Sequence, residues 1–133
     1  MNKLKWWLWI VGAWYFLIGA MNAYALFDLQ FIASFYGGIT DELAVRVIAE
    51  TILTIGLGMV VLGVMMFFAS RDPGRARFFI LAIALLELFQ WVPFDLVALQ
   101  SKTISASYVI PILILHLIFG VTGLVFLRQT KAE

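Results

Sequence analysis

The 133-residue sequence contains no cysteine, which excludes disulfides, thiolate metal ligands and dithiol redox chemistry together. The small four-helix quinone-linked thiol oxidases are excluded on the same ground. Charge is almost as scarce: 13% of residues are charged, against about 25% in a water-soluble domain. There is one histidine among scattered carboxylates, too few and too dispersed to read as a metal-ligand set. No basic stripe stands outside the flanks of the apolar runs, so nucleic-acid binding has no support. No phosphate loop and no nucleophile–base constellation is present either, and no cofactor is implied.

What remains is apolar. Hydrophobic residues make up 64% of the chain, and the mean hydropathy is +1.03. A chain of this kind cannot coat itself for water and must hide its outer surface in lipid. Four stretches approach the ~20 residues that span a hydrocarbon core as a helix. They run over Trp6–Leu26, Leu43–Ala69, Phe78–Leu96 and Tyr108–Leu127. The predicted fold is therefore an all-α membrane protein: one domain over residues 1–133, built as an antiparallel bundle of four transmembrane helices.

The first stretch follows Lys3 and Lys5, and Ala23-Tyr24-Ala25 imitates a signal-cleavage site. A signal's apolar core is about 7–15 residues; this one is longer and carries Trp6, Trp7, Trp9 and Trp14. It reads as a retained first span with an interfacial aromatic belt, a role that Trp91 is expected to share at the opposite face. Basic residues give the orientation. Lys3, Lys5, Arg71, Arg75, Arg77, Arg128 and Lys131 fall at the ends and the middle loop, and only Arg46 and Lys102 on the other side. This imbalance places both termini and the Ser70–Arg77 loop in the cytoplasm. Asp72-Pro73-Gly74 supplies turn chemistry there, which makes the second and third helices antiparallel neighbours.

Outside, the segment from Phe27 to Glu42 carries Phe27, Phe31, Phe35 and Tyr36 and is expected to lie in the interface. Thr40 or Asp41 is the expected N-cap of the second helix. The second outer loop, Val97 to Ser107, is polar around Gln100-Ser101-Lys102-Thr103. Glycines mark the faces on which helices can approach. Gly12 and Gly19, and likewise Gly56 and Gly63, are seven residues apart, a spacing that stays on one face in left-handed packing. Gly120 and Gly123 form another small-residue patch. Contacts within the chain are the favoured use of these faces, and a dimer interface is the alternative. Met59, Met65 and Met66, with Phe67 and Phe68, read as packing or lipid-facing residues rather than a ligand patch.

Ionisable groups within the spans carry the functional information, because a charged side chain at a helix centre costs about 2.5–3.5 kcal/mol. Glu87 falls ~15 Å into the third span and His116 ~18 Å from the end of the fourth, at the helical rise. Both are near the midplane. Gln90 and Trp91 stand three and four residues after Glu87, on its face of a regular helix, and Pro111 before His116 is expected to free a backbone carbonyl. Arg46 and Glu50 are spaced for an ion pair, Asn22 reaches a comparable level, and Asp95 is expected to end the third helix at the outer interface. Together Asn22, Arg46, Glu50, Glu87, Gln90, Asp95 and His116 describe a polar funnel narrowing from the outer face, with these seven as candidate ligand-binding residues. The alternative is purely structural: a neutralised Arg46–Glu50 pair and a Glu87–His116 clasp.

Several short motifs carry a resemblance. A Lys3-Leu4-Lys5-Trp6-Trp7 lead enters a Gly-containing first span, and Glu50 to Leu57 forms a Glu-x3-Thr-x-Gly-Leu run. Phe68 to Pro73 precedes a span with Leu85-Leu86-Glu87, and His116-Leu117 is followed by the closing run from Thr122 to Arg128. In these the chain resembles the BphX-like family of small four-span bacterial membrane proteins, over nearly its whole length. The resemblance implies a bacterial inner-membrane protein and transfers no catalytic residue. The more distant likeness to DoxX-like proteins suggests an accessory subunit of a larger membrane complex.

The expected function is binding of a hydrophobic small molecule or lipid in an outer-facing, polar-lined pocket. Alternatives are an intramembrane acid/base enzyme acting on a lipid or isoprenoid, or the accessory subunit. Expected partners are the bilayer, a hydrophobic ligand, and either further copies of the chain or a larger complex.

Overall fold

The computed structural model describes residues 3–129, and among these it contains helices and no strand. Helix α1 runs Lys3–Tyr24 and continues into a short 3-10 turn, Ala25–Phe27. A two-turn helix α2, Leu29–Phe35, follows, and then the long α3, Glu42–Ala69. The third span is composite: α4 over Arg77–Leu86, a π-helical turn over Glu87–Trp91, and α5 over Val92–Ser101. Helix α6, Ala106–Gln129, closes the chain and passes through Pro111 without a break. Four helical stretches, Lys3–Tyr24, Glu42–Ala69, Arg77–Ser101 and Ala106–Gln129, are long and apolar enough to cross a membrane. Lys131, one of the basic residues used for orientation, lies outside the described residues.

Two compact units divide the chain, residues 11–66 and residues 1–10 with 67–133. In the first, α1 and α3 meet backbone to backbone. A Cβ added to Gly19 would stand 2.6 Å from the Gly56 carbonyl oxygen, and one added to Gly56 would stand 2.7 Å from that of Gly19. Gly63 meets the Gly12 carbonyl oxygen in the same way, at 2.7 Å. Gly19 against Gly56 and Gly12 against Gly63 is the pairing of antiparallel neighbours, so both glycine spacings serve contacts within the chain. Close approach of small residues is how helices gain packing energy in lipid, where the hydrophobic effect between them is weak. Gly58 has open space around its Cβ position. Met59 and Met66 are buried and Met65 is exposed.

Asp41 caps α3: its Oδ1 accepts the Ala44 N–H at 2.8 Å. Asp28 caps α2 through the Phe31 N–H. One face of α2 packs Ile32 against Val45 and Ala49 of α3, while Phe27 and Phe31 are exposed. Gly37 and Gly38, with φ of 83° and 78°, make the turn that leaves α2.

In the other unit, α4, the π turn and α5 pack along α6. The first turns of α1 join them. The Trp7 indole N–H donates to the Phe119 carbonyl at 3.1 Å, and its ring lies where a Gly123 side chain would be. Gly120 leaves room for Leu88 in the same manner. At the basic end Arg77 donates to the Leu127 carbonyl at 2.6 Å. Lys3 donates to the Gln129 side chain at 2.9 Å.

The third span corrects an expected boundary. Its helix continues to Ser101, five residues beyond Leu96, and so takes in the start of what reads as an outer loop. The reason is Pro93, which lacks an N–H and crowds the carbonyl four residues before it. A π turn accommodates that conflict: the Val92 N–H donates to the Glu87 carbonyl, and the helix resumes instead of stopping. Lys102, in the left-handed region at φ 56°, ends it.

Candidate functional site

The π turn decides which side chains share a face. Glu87 and Asp95 are eight residues apart, which on a regular α-helix at about 100° per residue turns them roughly 80° away from each other. A π turn absorbs one residue, so the pair behaves as if about seven apart, a spacing that drifts only ~20°. Both carboxylates therefore point at α6. Both are buried, Glu87 fully.

Between them sits His116, also buried. Its Nδ1 lies 2.8 Å from Asp95 Oδ2, a hydrogen bond, and its Nε2 lies 4.0 Å from Glu87 Oε2. The second distance is beyond hydrogen bonding, so Asp95 orients the imidazole and Glu87 faces its other nitrogen. The Trp91 ring is half-buried, 5.7 Å from the imidazole and tilted 30° to it. Trp91 also meets exposed Phe94 at 6.2 Å, with the two rings nearly perpendicular.

Of the seven candidates, this cluster gathers Glu87, Asp95 and His116. The π turn rotates Gln90 outward, and it is exposed, contrary to its expected place beside Glu87. Arg46 and Glu50 are also exposed, and among the described residues no ion pair joins them, so the expected neutralised pair is not formed. Asn22 is half-buried, with its Nδ2 4.0 Å from the Met59 sulfur. Asn22, Arg46 and Glu50 belong to the unit of residues 11–66.

Two features differ from their expected roles. Asp95 does not end its helix, which runs on to Ser101, and it is hydrogen-bonded to His116. Trp91 contacts the imidazole instead of serving only in an aromatic belt. Pro93, placed between Trp91 and Asp95 within an apolar run, was the signal for both. Among the described residues no group of three or more acidic or histidine side chains is arranged to hold a metal ion.

Chemically, the arrangement is an imidazole held by one carboxylate and faced by a second, in spans whose outer surfaces are apolar. The four long apolar helices are those of a multi-pass membrane protein. No family model matches the chain, and neither a curated protein nor a solved structure matches it.

Proposed function

We propose that this protein binds a hydrophobic small molecule or a lipid, with the Glu87–His116–Asp95 cluster receiving the guest's polar end. One observation carries the reading: two carboxyl side chains are buried around a single buried imidazole in apolar spans. Placing a charged group there costs about 2.5–3.5 kcal/mol, whereas an interhelical hydrogen bond in a membrane returns only about 0.6–2 kcal/mol. A clasp that merely holds α5 to α6 needs one such bond, which His116 and Asp95 already make. Glu87, fully buried, is a second acid on the other side of the same imidazole. Intramembrane ionisable residues of this kind mark sites by default.

The reading rests on these three residues and does not draw on Asn22, Arg46, Glu50 or Gln90. It includes an antiparallel four-helix bundle in a bacterial inner membrane, with both termini cytoplasmic, supported by the placement of the basic residues and by the resemblance to BphX-like proteins. In that orientation Asp95 lies on the outer side of Glu87, so a guest enters from the outer leaflet.

The same geometry supports acid/base chemistry on a lipid or isoprenoid as a second reading. A carboxylate on Nδ1 fixes the tautomer of an imidazole whose Nε2 is then available for proton transfer. No observation favours an accessory-subunit role in the same way.

Native mass spectrometry of the purified protein, with extraction of bound lipid, tests the proposal. The expected result is a co-purifying apolar molecule with a polar end, depleted in Glu87→Gln and His116→Gln. Wild-type protein without any such molecule would overturn it. Incorporation of solvent deuterium into the guest would select the second reading.

A further inference from the structure

Positive charge in the unit of residues 1–10 and 67–133 is collected at one end. Among the described residues that end carries Lys3, Lys5, Arg71, Arg75, Arg77 and Arg128 against a single acid, Asp72. Side-chain bonds draw three segments together there. Lys3 of α1 reaches Gln129, and Arg77 of α4 reaches the Leu127 carbonyl, both in the last turn of α6. Asp72 is committed within its own loop: its Oδ2 lies 3.2 Å from Arg75 Nε, and its Oδ1 accepts the Arg75 backbone N–H. It does not neutralise Arg71.

Arg71 stands on a fixed turn. Ser70 is buried, with its hydroxyl donating to the Phe67 carbonyl at 2.7 Å, and Pro73 is buried beyond it. The Arg71 N–H donates to the Phe68 carbonyl at 3.1 Å. Its guanidinium lies over the Phe68 ring, 4.9 Å from the centroid, and that ring is exposed. The preceding Phe67 meets the exposed Trp9 ring at 4.9 Å. Lys5, also exposed, is one helical turn before Trp9 on the same face of α1. Cations thus border exposed aromatic rings where apolar helices end, the arrangement that suits the level of lipid headgroups.

We propose that the Arg71–Phe68 corner holds an anionic phospholipid, its phosphate on the guanidinium and its acyl chain along the Phe68 ring, with Lys5 adding charge and Trp9 adding apolar surface. An arginine fork pairs a phosphate bidentately. A zwitterionic headgroup brings its own cation and gains less from the surrounding positive charge. A soluble anion would use Arg71 but not the rings. The site is separate from the Glu87–His116–Asp95 cluster and does not rest on the reading of that cluster.

Equilibrium binding of phosphatidylglycerol and phosphatidylcholine with identical acyl chains, measured on the full chain in micelles of a neutral detergent, tests this. Phosphatidylglycerol should bind at least about tenfold more tightly, and raising salt to about 0.5 M should shrink that preference. Arg71→Gln should lower phosphatidylglycerol affinity about fivefold and leave phosphatidylcholine unchanged. Arg75→Gln removes a cation already paired with Asp72 and should change it less than about twofold. Phe68→Leu keeps an apolar residue, removes the ring beneath Arg71 and should cost about threefold; it decides the matter if Arg71→Gln fails to fold, as judged by elution and melting. Equal binding of the two lipids overturns the proposal, as does unchanged affinity in Phe68→Leu. A loss in Arg75→Gln as large as in Arg71→Gln would show diffuse charge in place of a site. Displacement of phosphatidylglycerol by inorganic phosphate would show a soluble-anion site and overturn the lipid assignment.

Discussion

In residues 11–66 the helices meet through glycine backbones, with carbonyl oxygens of α1 and α3 where side chains would otherwise stand. In the unit that contains residues 67–133 they meet through polar side chains, with His116 bonded across to Asp95 and Trp7 donating to Phe119. Both are ways to join helices where lipid is as apolar as the side chains. The glycine contact leaves no ionisable group in the interface. The polar contact places three of them where each charge is expensive. A chain able to pack its helices by the first device has no packing reason to add the second, and this contrast is the basis for reading the acid–histidine–acid cluster as a working site.

The largest effect should come from stranding the imidazole. Asp95→Ala removes the carboxylate hydrogen-bonded to His116 Nδ1, and breaking a buried pair on one side costs about 3–5 kcal/mol. Asp95→Asn keeps an acceptor and should cost about 1 kcal/mol. Reversible unfolding in mixed micelles would measure both, and equal losses would undo the assignment of Asp95 as the orienting partner. Next in size is Gly56→Ala, whose new methyl would meet the Gly19 carbonyl oxygen at 2.7 Å and the Ala23 backbone at 2.9 Å. Backbone cannot yield as a side chain can, so a loss of about 1–3 kcal/mol is expected.

Smaller changes should run the other way. Lys102 holds a left-handed conformation that costs a side-chain-bearing residue about 1–2 kcal/mol, so Lys102→Gly should stabilise the end of α5 by about 1 kcal/mol. Gly58→Ala, with nothing near its Cβ position, should gain about 0.5 kcal/mol from helix propensity. The same unfolding assay reads both. A Gly58→Ala loss comparable with that of Gly56→Ala would show that glycine content, not the specific facing pairs, holds residues 11–66 together.

Much of this was legible in the residues. Hydropathy marked four spans, and the Gly12, Gly19, Gly56 and Gly63 spacing gave the contact faces because a seven-residue repeat needs no tertiary information. The cap of α3 was narrowed to Thr40 or Asp41, and Asp41 is the one that accepts the Ala44 N–H. The candidate site was legible only in part. Glu87 and His116 stand out as ionisable residues in apolar runs, and the structure brings them to 4.0 Å. Gln90 and Asp95 were placed by regular α-helical spacing, and one π turn moves both: Gln90 off the shared face and Asp95 onto it. A single residue absorbed into a helix changes every facing relation beyond it, and nothing in a periodic pattern records where that occurs unless Pro93 is taken as the sign. Arg46 and Glu50 had the spacing for an ion pair, but spacing allows a pair without requiring it, and an exposed pair of this kind gains little.

The most direct test replaces the whole cluster at once, with Glu87→Leu, Asp95→Leu and His116→Phe in one chain, followed by unfolding and by mass spectrometry of what co-purifies. Exchanging a buried ionic network for apolar residues of similar volume is often neutral or stabilising by about 1–4 kcal/mol, so the variant should fold at least as stably as the wild type. It should also lose the polar-ended guest that the wild type retains. A triple variant that keeps the same guest at the same level would contradict the account and leave Glu87, Asp95 and His116 as a structural clasp.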